Sequence, residues 1–96
     1  MASSKDYLDF VLDFLTDIDA ISFKKMMGEY LIYSDGILFG GIYDNRLLVK
    51  IVASNKKYNM QESIPYPNAK PMYLVDNIDN EDILKDIILD TYNDLK

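Results

Sequence analysis

Amphipathic helical patterns at both ends of the chain, with short alternating strands joined by two-residue turns between them, predict an α+β fold. The expected architecture is one domain over residues 1–96, with a mostly antiparallel sheet of about five strands and N- and C-terminal helices. A chain of 96 residues has room for one domain. Surface scaling puts its folded area at roughly 5,700 Å², with about 65% of the unfolded surface buried. Hydrophobic residues make up 49% and charged residues 27%, an ordinary globular composition that excludes disorder.

The first helix starts at Ser3 or Ser4, either of which can cap it, and Asp6 enters the first turn where the helix dipole favours negative charge. At 100° per residue Leu8, Val11, Leu12, Leu15 and Ile18 form one seam, flanked by Tyr7, Phe10 and Phe14. Asp6, Asp9, Asp13 and Asp17 fall on one opposite stripe, which reads as a solvated face. The apolar arc spans about 200°, wider than one sheet can cover, and leaves Phe10 as a candidate interface residue.

The middle reads as a meander. Glu29 to Ser34 and Ile37 to Tyr43 are joined by Asp35-Gly36, a strong hairpin signal because both positions tolerate positive φ. Asp44-Asn45 turns the chain into a strand from Arg46 to Val52, and Ile21 to Met27 forms a further strand set off by Gly28. Ser54 to Ser63 is polar, with a short helix or nothing regular. The three prolines, from Pro65 to Pro71, mark a loop, and Met72 to Asp76 reads as the fifth strand. Asp79-Asn80-Glu81-Asp82 caps the last helix, whose apolar side is Ile83, Leu84, Ile87, Ile88, Tyr92 and Leu95.

The chemistry of the chain is bounded by what it lacks. It has no His and no Cys, which removes imidazole acid–base work, thiol nucleophiles, disulfides and zinc ribbons. Gly36-Ile37-Leu38-Phe39-Gly40-Gly41 fits neither dinucleotide nor P-loop spacing; Gly36 reads as a turn and Gly40-Gly41 as a bulge or close backbone approach. In the acidic run from Asp76 to Asp82, Ile78 and Glu81 stand where a calcium loop needs a ligand and Gly, so capping explains it. Lys24 and Lys25 carry no mark of a desolvated amine. The expectation is no enzyme, no cofactor and no metal. No stretch approaches 18 apolar residues, the N-terminus lacks the order of a signal peptide, and Ala2 excludes myristoylation, so a cytoplasmic location away from membranes is expected.

Pairing through unbroken two-residue turns assigns the sheet faces. One face gathers Leu31, Tyr33, Leu38, Gly40, Ile42, Leu47, Val49 and Ile51 and is expected to be the core. The other gathers Tyr30, Ile32, Phe39, Gly41, Tyr43 and Leu48 with Arg46 and Lys50 at its margin. A solvated face should be polar; this one is apolar and aromatic, so Tyr30, Ile32, Phe39, Tyr43, Arg46, Leu48 and Lys50 form the candidate interaction face. A homodimer or a protein partner is expected to bury it.

The string Lys24-Lys25-Met26-Met27-Gly28-Glu29-Tyr30, followed by Tyr33-Ser34-Asp35-Gly36, Phe39-Gly40-Gly41-Ile42-Tyr43-Asp44 and Leu47-Leu48-Val49-Lys50, is distinctive in combination. It resembles the N-terminal domain of the TfoX/Sxy family, with Lys24, Lys25, Met26, Gly28, Asp35, Gly36 and Gly40 as the matching motif. Met27 stands where many relatives have Phe, and Glu29 where some have Gly. The resemblance covers nearly the whole chain and is closest to short stand-alone members. It implies a secretion-chaperone-like α+β fold, no catalytic residues, and a regulatory or protein-interaction role associated with competence genes. The runner-up is a nucleic-acid-associated regulator that stacks bases on Tyr30, Phe39 and Tyr43 and meets phosphates with Lys24, Lys25, Arg46 and Lys50.

Charge weighs against that second reading. The net charge is −6 and the isoelectric point about 4.4. Residues 1–23 hold one Lys against five Asp, and residues 71–96 two Lys against seven acids; only the middle is basic, with seven cations against four acids. Direct nucleic-acid binding by the isolated chain is therefore not expected. Fluorescence anisotropy with duplex DNA near 150 mM salt should show no sub-micromolar binding, and a sub-micromolar Kd would contradict the charge reasoning.

Overall fold

The computed structural model describes residues 3–18, 20–76 and 80–96. Helix α1 (Lys5–Asp13) leads into four strands, β1 (Ile21–Met26), β2 (Glu29–Ser34), β3 (Ile37–Tyr43) and β4 (Arg46–Val49). A 3₁₀ helix (Ala53–Tyr58), β5 (Gln61–Ser63), β6 (Met72–Leu74) and helix α2 (Glu81–Leu95) follow. The strands form one antiparallel sheet in the order β1-β2-β3-β4-β6-β5. The α+β class holds, with six strands instead of about five. The extra one is β5, which lies in the polar segment and pairs with β6 across the proline loop. The accessible area of 5677 Å² is what a compact chain of this mass exposes.

Three tight turns set the meander. Asp35-Gly36 has both residues at positive φ, 51° and 77°, as predicted, and the predicted turn at Asp44-Asn45 has the same form, at 53° and 54°. Met27-Gly28 makes a third such turn at 52° and 83°, so β1 ends at Met26, one residue before the expected boundary. Positive φ at both central residues matches the twist of the flanking strands.

The register is not continuous across the second hairpin. Ser34 pairs with Ile37 and Tyr33 with Leu38, but Ile32 pairs with Gly40, leaving Phe39 as an extra residue. This bulge shifts β2 by one residue relative to the rest of β3, and a one-residue shift exchanges the faces. Tyr30, Ile32 and Phe39, expected on the interaction face, are core residues at 5%, 0% and 0% exposure. Leu31, Tyr33 and Leu38, expected in the core, are half-buried, and their pairing places them on the opposite face with Gly41, Tyr43 and Leu48. Beyond the bulge Ile42, Leu47 and Val49 are in the core as expected, whereas Ile51, also expected there, lies past the end of β4, is half-buried and lines the cavity on the other side.

The two glycines after Phe39 are where the strands close in. A Cβ on Gly40 would lie 2.2 Å from the carbonyl oxygen of Leu48, and one on Gly41 2.5 Å from that of Tyr30. Gly40-Gly41 thus marks a bulge and close backbone approach, as the sequence suggests.

Both helices pack on the core face. Leu8 and Val11 of α1 and Leu84, Ile87 and Ile88 of α2 are fully buried with Ile32, Phe39, Ile42, Leu47 and Val49. Ser4 caps α1 by accepting the Tyr7 N–H. The helix stops at Asp13 although its apolar period continues, and the N–H groups of Phe14, Leu15 and Ile18 bond to carbonyls three residues back. Its last turn has no basic residue and ends in Asp13, which opposes the dipole. The 3₁₀-like turns still bring Leu15 and Ile18 into the core. Asn80 caps α2 by accepting the Ile83 N–H; Asp79 of the expected cap, and Ile78 of the acidic run, lie outside the described residues.

Two polar clusters hold the ends of the chain. The Glu29 carboxylate accepts from the Ser3 N–H at 2.9 Å, the Ser3 hydroxyl at 2.7 Å and the Asp44 N–H at 3.1 Å, tying the N-terminus to β2 and the β3–β4 turn. Fully buried Asn55 donates to the Lys50 carbonyl at 2.8 Å and to Thr91 Oγ1 at 2.9 Å, and accepts the Val52 N–H. At the rim of that contact Asp90 accepts from the Tyr58 hydroxyl at 2.7 Å and pairs with Lys57 at 3.1 Å. The hydroxyl hydrogen bond, with help from Lys57, holds the Asp90 carboxyl below its ordinary value. Burial, then Asp90, pushes the Tyr58 hydroxyl up to about 12, so it remains a donor at neutral pH.

Two stability outcomes follow from this architecture. Gly36 has positive φ but open space around its Cβ position, so Gly36→Ala or Gly36→Val costs about 1 kcal/mol, a loss of several degrees in Tm. Gly40→Ala must push β4 aside and costs about 3 kcal/mol; calorimetry that ranks the two the other way would exclude the bulge geometry. Because the folded pKa of Asp90 is depressed, its contribution is complete above the ordinary value of 3.8 and is lost as pH falls through the lower folded value. Urea unfolding should find Asp90→Asn less stable than the parent at pH 6, with the gap closing toward pH 3. A gap independent of pH would mean that the charge contributes nothing.

Candidate functional site

With both helices on one face, the other face of the sheet is left to be covered by loops. Its floor is Leu31 of β2, Leu38 and Tyr43 of β3 and Leu48 of β4. Met26 extends it on β1 and Met72 on β6. Over this floor runs the segment from Ile64 to Pro71, which carries all three prolines and so resists collapse into the sheet. Pro65 is buried, while Tyr66 remains 57% exposed with its ring against Tyr43, centroids 6.1 Å apart and planes tilted by 47°. The strap and the floor enclose a cleft of about 680 Å³.

Arg46 explains why the strap stays in place. Its guanidinium donates to Ser63 Oγ, to the Ile64 carbonyl at 3.3 Å and, through Nε, to the Tyr43 carbonyl at 3.1 Å. It is a brace between β4 and the start of the strap, and its fork geometry suits several acceptors at once. Burial, followed by the influence of Tyr66, Glu29 and Tyr33, raises the Tyr43 hydroxyl pKa, so this group is a neutral phenol at pH 7.

The expected interaction face is therefore divided. Tyr43 at 7% exposure and Leu48 at 0% lie on the strap face, already largely covered. Lys50, half-buried, lines the cleft, and Arg46 is committed to the strap. Tyr30, Ile32 and Phe39 belong to the core, which leaves Tyr43 alone of the three aromatics considered for base stacking. Phe10 is 45% exposed on α1, against Phe14 and Tyr7 at 5.1 and 6.1 Å, on the helical side and apart from the cleft.

The motif residues take structural places. Lys24 and Lys25 sit in edge strand β1, where charge discourages pairing with other chains. Met26 is a cleft wall, Gly28 and Asp35-Gly36 are turns, and Gly40 is the close approach beside the bulge. Asp35 also accepts the Tyr92 hydroxyl of α2 at 3.2 Å.

Sequence reasoning missed Met26, Leu31, Leu38, Pro65, Tyr66, Lys70 and Met72 as parts of one cavity. The available signal was Gly40-Gly41, since a bulge placed there reassigns β2 and brings Leu31 and Leu38 to this face. The path of the proline strap has no comparable signal. Met26 of the lining is 46% exposed, and Met27 and Ile64, next in the chain to the lining residues Met26 and Pro65, are exposed at 95% and 47%.

Comparison with known proteins agrees with the motif. The family model of the TfoX N-terminal domain matches residues 13–86, a span that holds every strand, the cleft and the strap. The chain is also similar to a protein of Spirochaeta aurantia described as an uncharacterized 12.7 kDa protein in the trpE 5' region. The two are 31% identical over 83 residues, covering 84% of this chain and 72% of the relative. On this match, and on the motif blocks that lie within it, the chain belongs to the TfoX N-terminal domain family.

Proposed function

We propose that this chain is a non-enzymatic regulatory module that works by docking protein on the strap side of its sheet, beginning with a second copy of itself. One observation carries the reading: after both helices are placed, exposed Met26 and Tyr66 still line an apolar cleft, and Met27 and Ile64, their near neighbours in the chain, are exposed as well. Large contiguous apolar surface of this kind is uncommon on a monomer, and symmetric dimers are the commonest way to bury it. The strap already shields Tyr43 and Leu48, so the docking surface is its rim and the adjoining end of β1. A part in transcriptional regulation, including that of competence genes, is the role that family membership suggests for such a module in the cytoplasm.

Light scattering coupled to gel filtration should report twice the 11.1 kDa chain mass. The double variant Met26→Asp, Tyr66→Asp should run as a folded monomer with a Tm close to the parent's, because both side chains are largely exposed. Phe39→Asp is not a usable test, since it buries a charge in the core. A parent that remains monomeric at high concentration, and whose double variant retains every protein the parent co-purifies, would refute the docking reading.

A further inference from the structure

We propose that the cleft beneath the strap binds a small amphipathic carboxylate, an apolar chain or ring carrying one anionic head. This goes beyond the docking reading and does not depend on it. The cleft's volume of about 680 Å³ lies within the roughly 300–1,000 Å³ typical of small-molecule sites. Its apolar lining is hydrocarbon and thioether: Leu31, Leu38, Ile51, Met26 and Met72. Methionines adapt to the shape of an apolar ligand at little cost.

Charge selects the head group. Among the described residues the charged ones that line the cleft are Lys50 and Lys70, with no carboxylate beside them. Among the described residues ion pairs form at Lys5–Asp9 and Lys57–Asp90, so the ammonium groups of Lys50 and Lys70 have no carboxylate partner. The exposed acids of α1 and α2, such as Asp9, Asp13 and Asp86, belong to the helical layer on the opposite side. Two unpaired cations at an apolar slot favour an anion and disfavour a cation of the same shape.

The test uses the whole chain and three probes of equal tail length below their micelle-forming concentrations: decanoate, decanol and decylammonium. Calorimetry should show saturable one-to-one binding of decanoate, with decylammonium and decanol about tenfold weaker or worse. Methyl resonances of Met26 and Met72 should shift on titration while that of Met27, outside the cleft, stays in place. The variant Lys50→Met, Lys70→Met keeps the apolar stems and should lose about tenfold in decanoate affinity with Tm and mass in solution unchanged. The proposal fails if decanoate does not saturate, if decylammonium binds as well, if the shifts fall elsewhere, or if the lysine variant binds normally. Self-association is read separately by light scattering, so either idea can fail while the other stands.

Discussion

The extra residue in the second hairpin is the constraint on which the rest of the molecule depends. Between Ile32 and Tyr33 the register slips by one, and Phe39 enters the core where an unbroken ladder would send it out. The same slip turns Tyr30 and Ile32 inward, into one core with Leu8 and Val11 of the first helix and Ile87 and Ile88 of the last. It also sends Leu31 and Leu38 to the far side, where they become the floor of the cleft. Gly40 and Gly41 permit this, because carbonyl oxygens of neighbouring strands occupy the space their Cβ atoms would need.

Once the core face is defined, polar contacts over long sequence separations decide what covers each side. Asn55, buried and fully bonded, links the end of β4 to Thr91 and so seats the last helix beside the 3₁₀ turn. Asp90 and Asp94 add bonds to Tyr58 and Ser54 along the same seam. On the other side Arg46 joins Ser63 and Ile64 to β4, which holds the strap above Tyr43. Glu29 gathers Ser3 and Asp44 at one end of the sheet. Buried polar groups such as Asn55 and Thr91 must be satisfied as a set, so their cluster specifies one arrangement of the elements that it joins.

The outcome is a molecule with two chemically different sides. The helical side presents Asp6, Asp9, Asp13 and Asp17 of the first helical region and Glu81, Asp82 and Asp86 of the last helix to solvent. The strap side presents an apolar slot bordered by lysines. Net charge alone hides this division, because the acids outnumber the cations over the whole chain. Separation of this kind lets an acidic protein offer a site suited to anions, since interactions at contact range are screened less than the distant field.

Much was legible from residue order alone. Helical period, caps and turn dipeptides are local properties, and they placed both helices, the bounds of β2 and β3, and the Asp35-Gly36 and Asp44-Asn45 turns. Spaced motif blocks marked the family, because turns and close approaches restrict residue type at those points. What residue order could not decide was which side of the sheet each strand residue would face. Face alternation counts residues from a turn, and one bulge in the middle of a strand reverses the count for everything beyond it. The path of the proline strap, the service of Arg46 as its brace and the burial of Asn55 are likewise tertiary outcomes. Each rests on contacts between residues 17 to 36 positions apart, and no local preference encodes such a meeting.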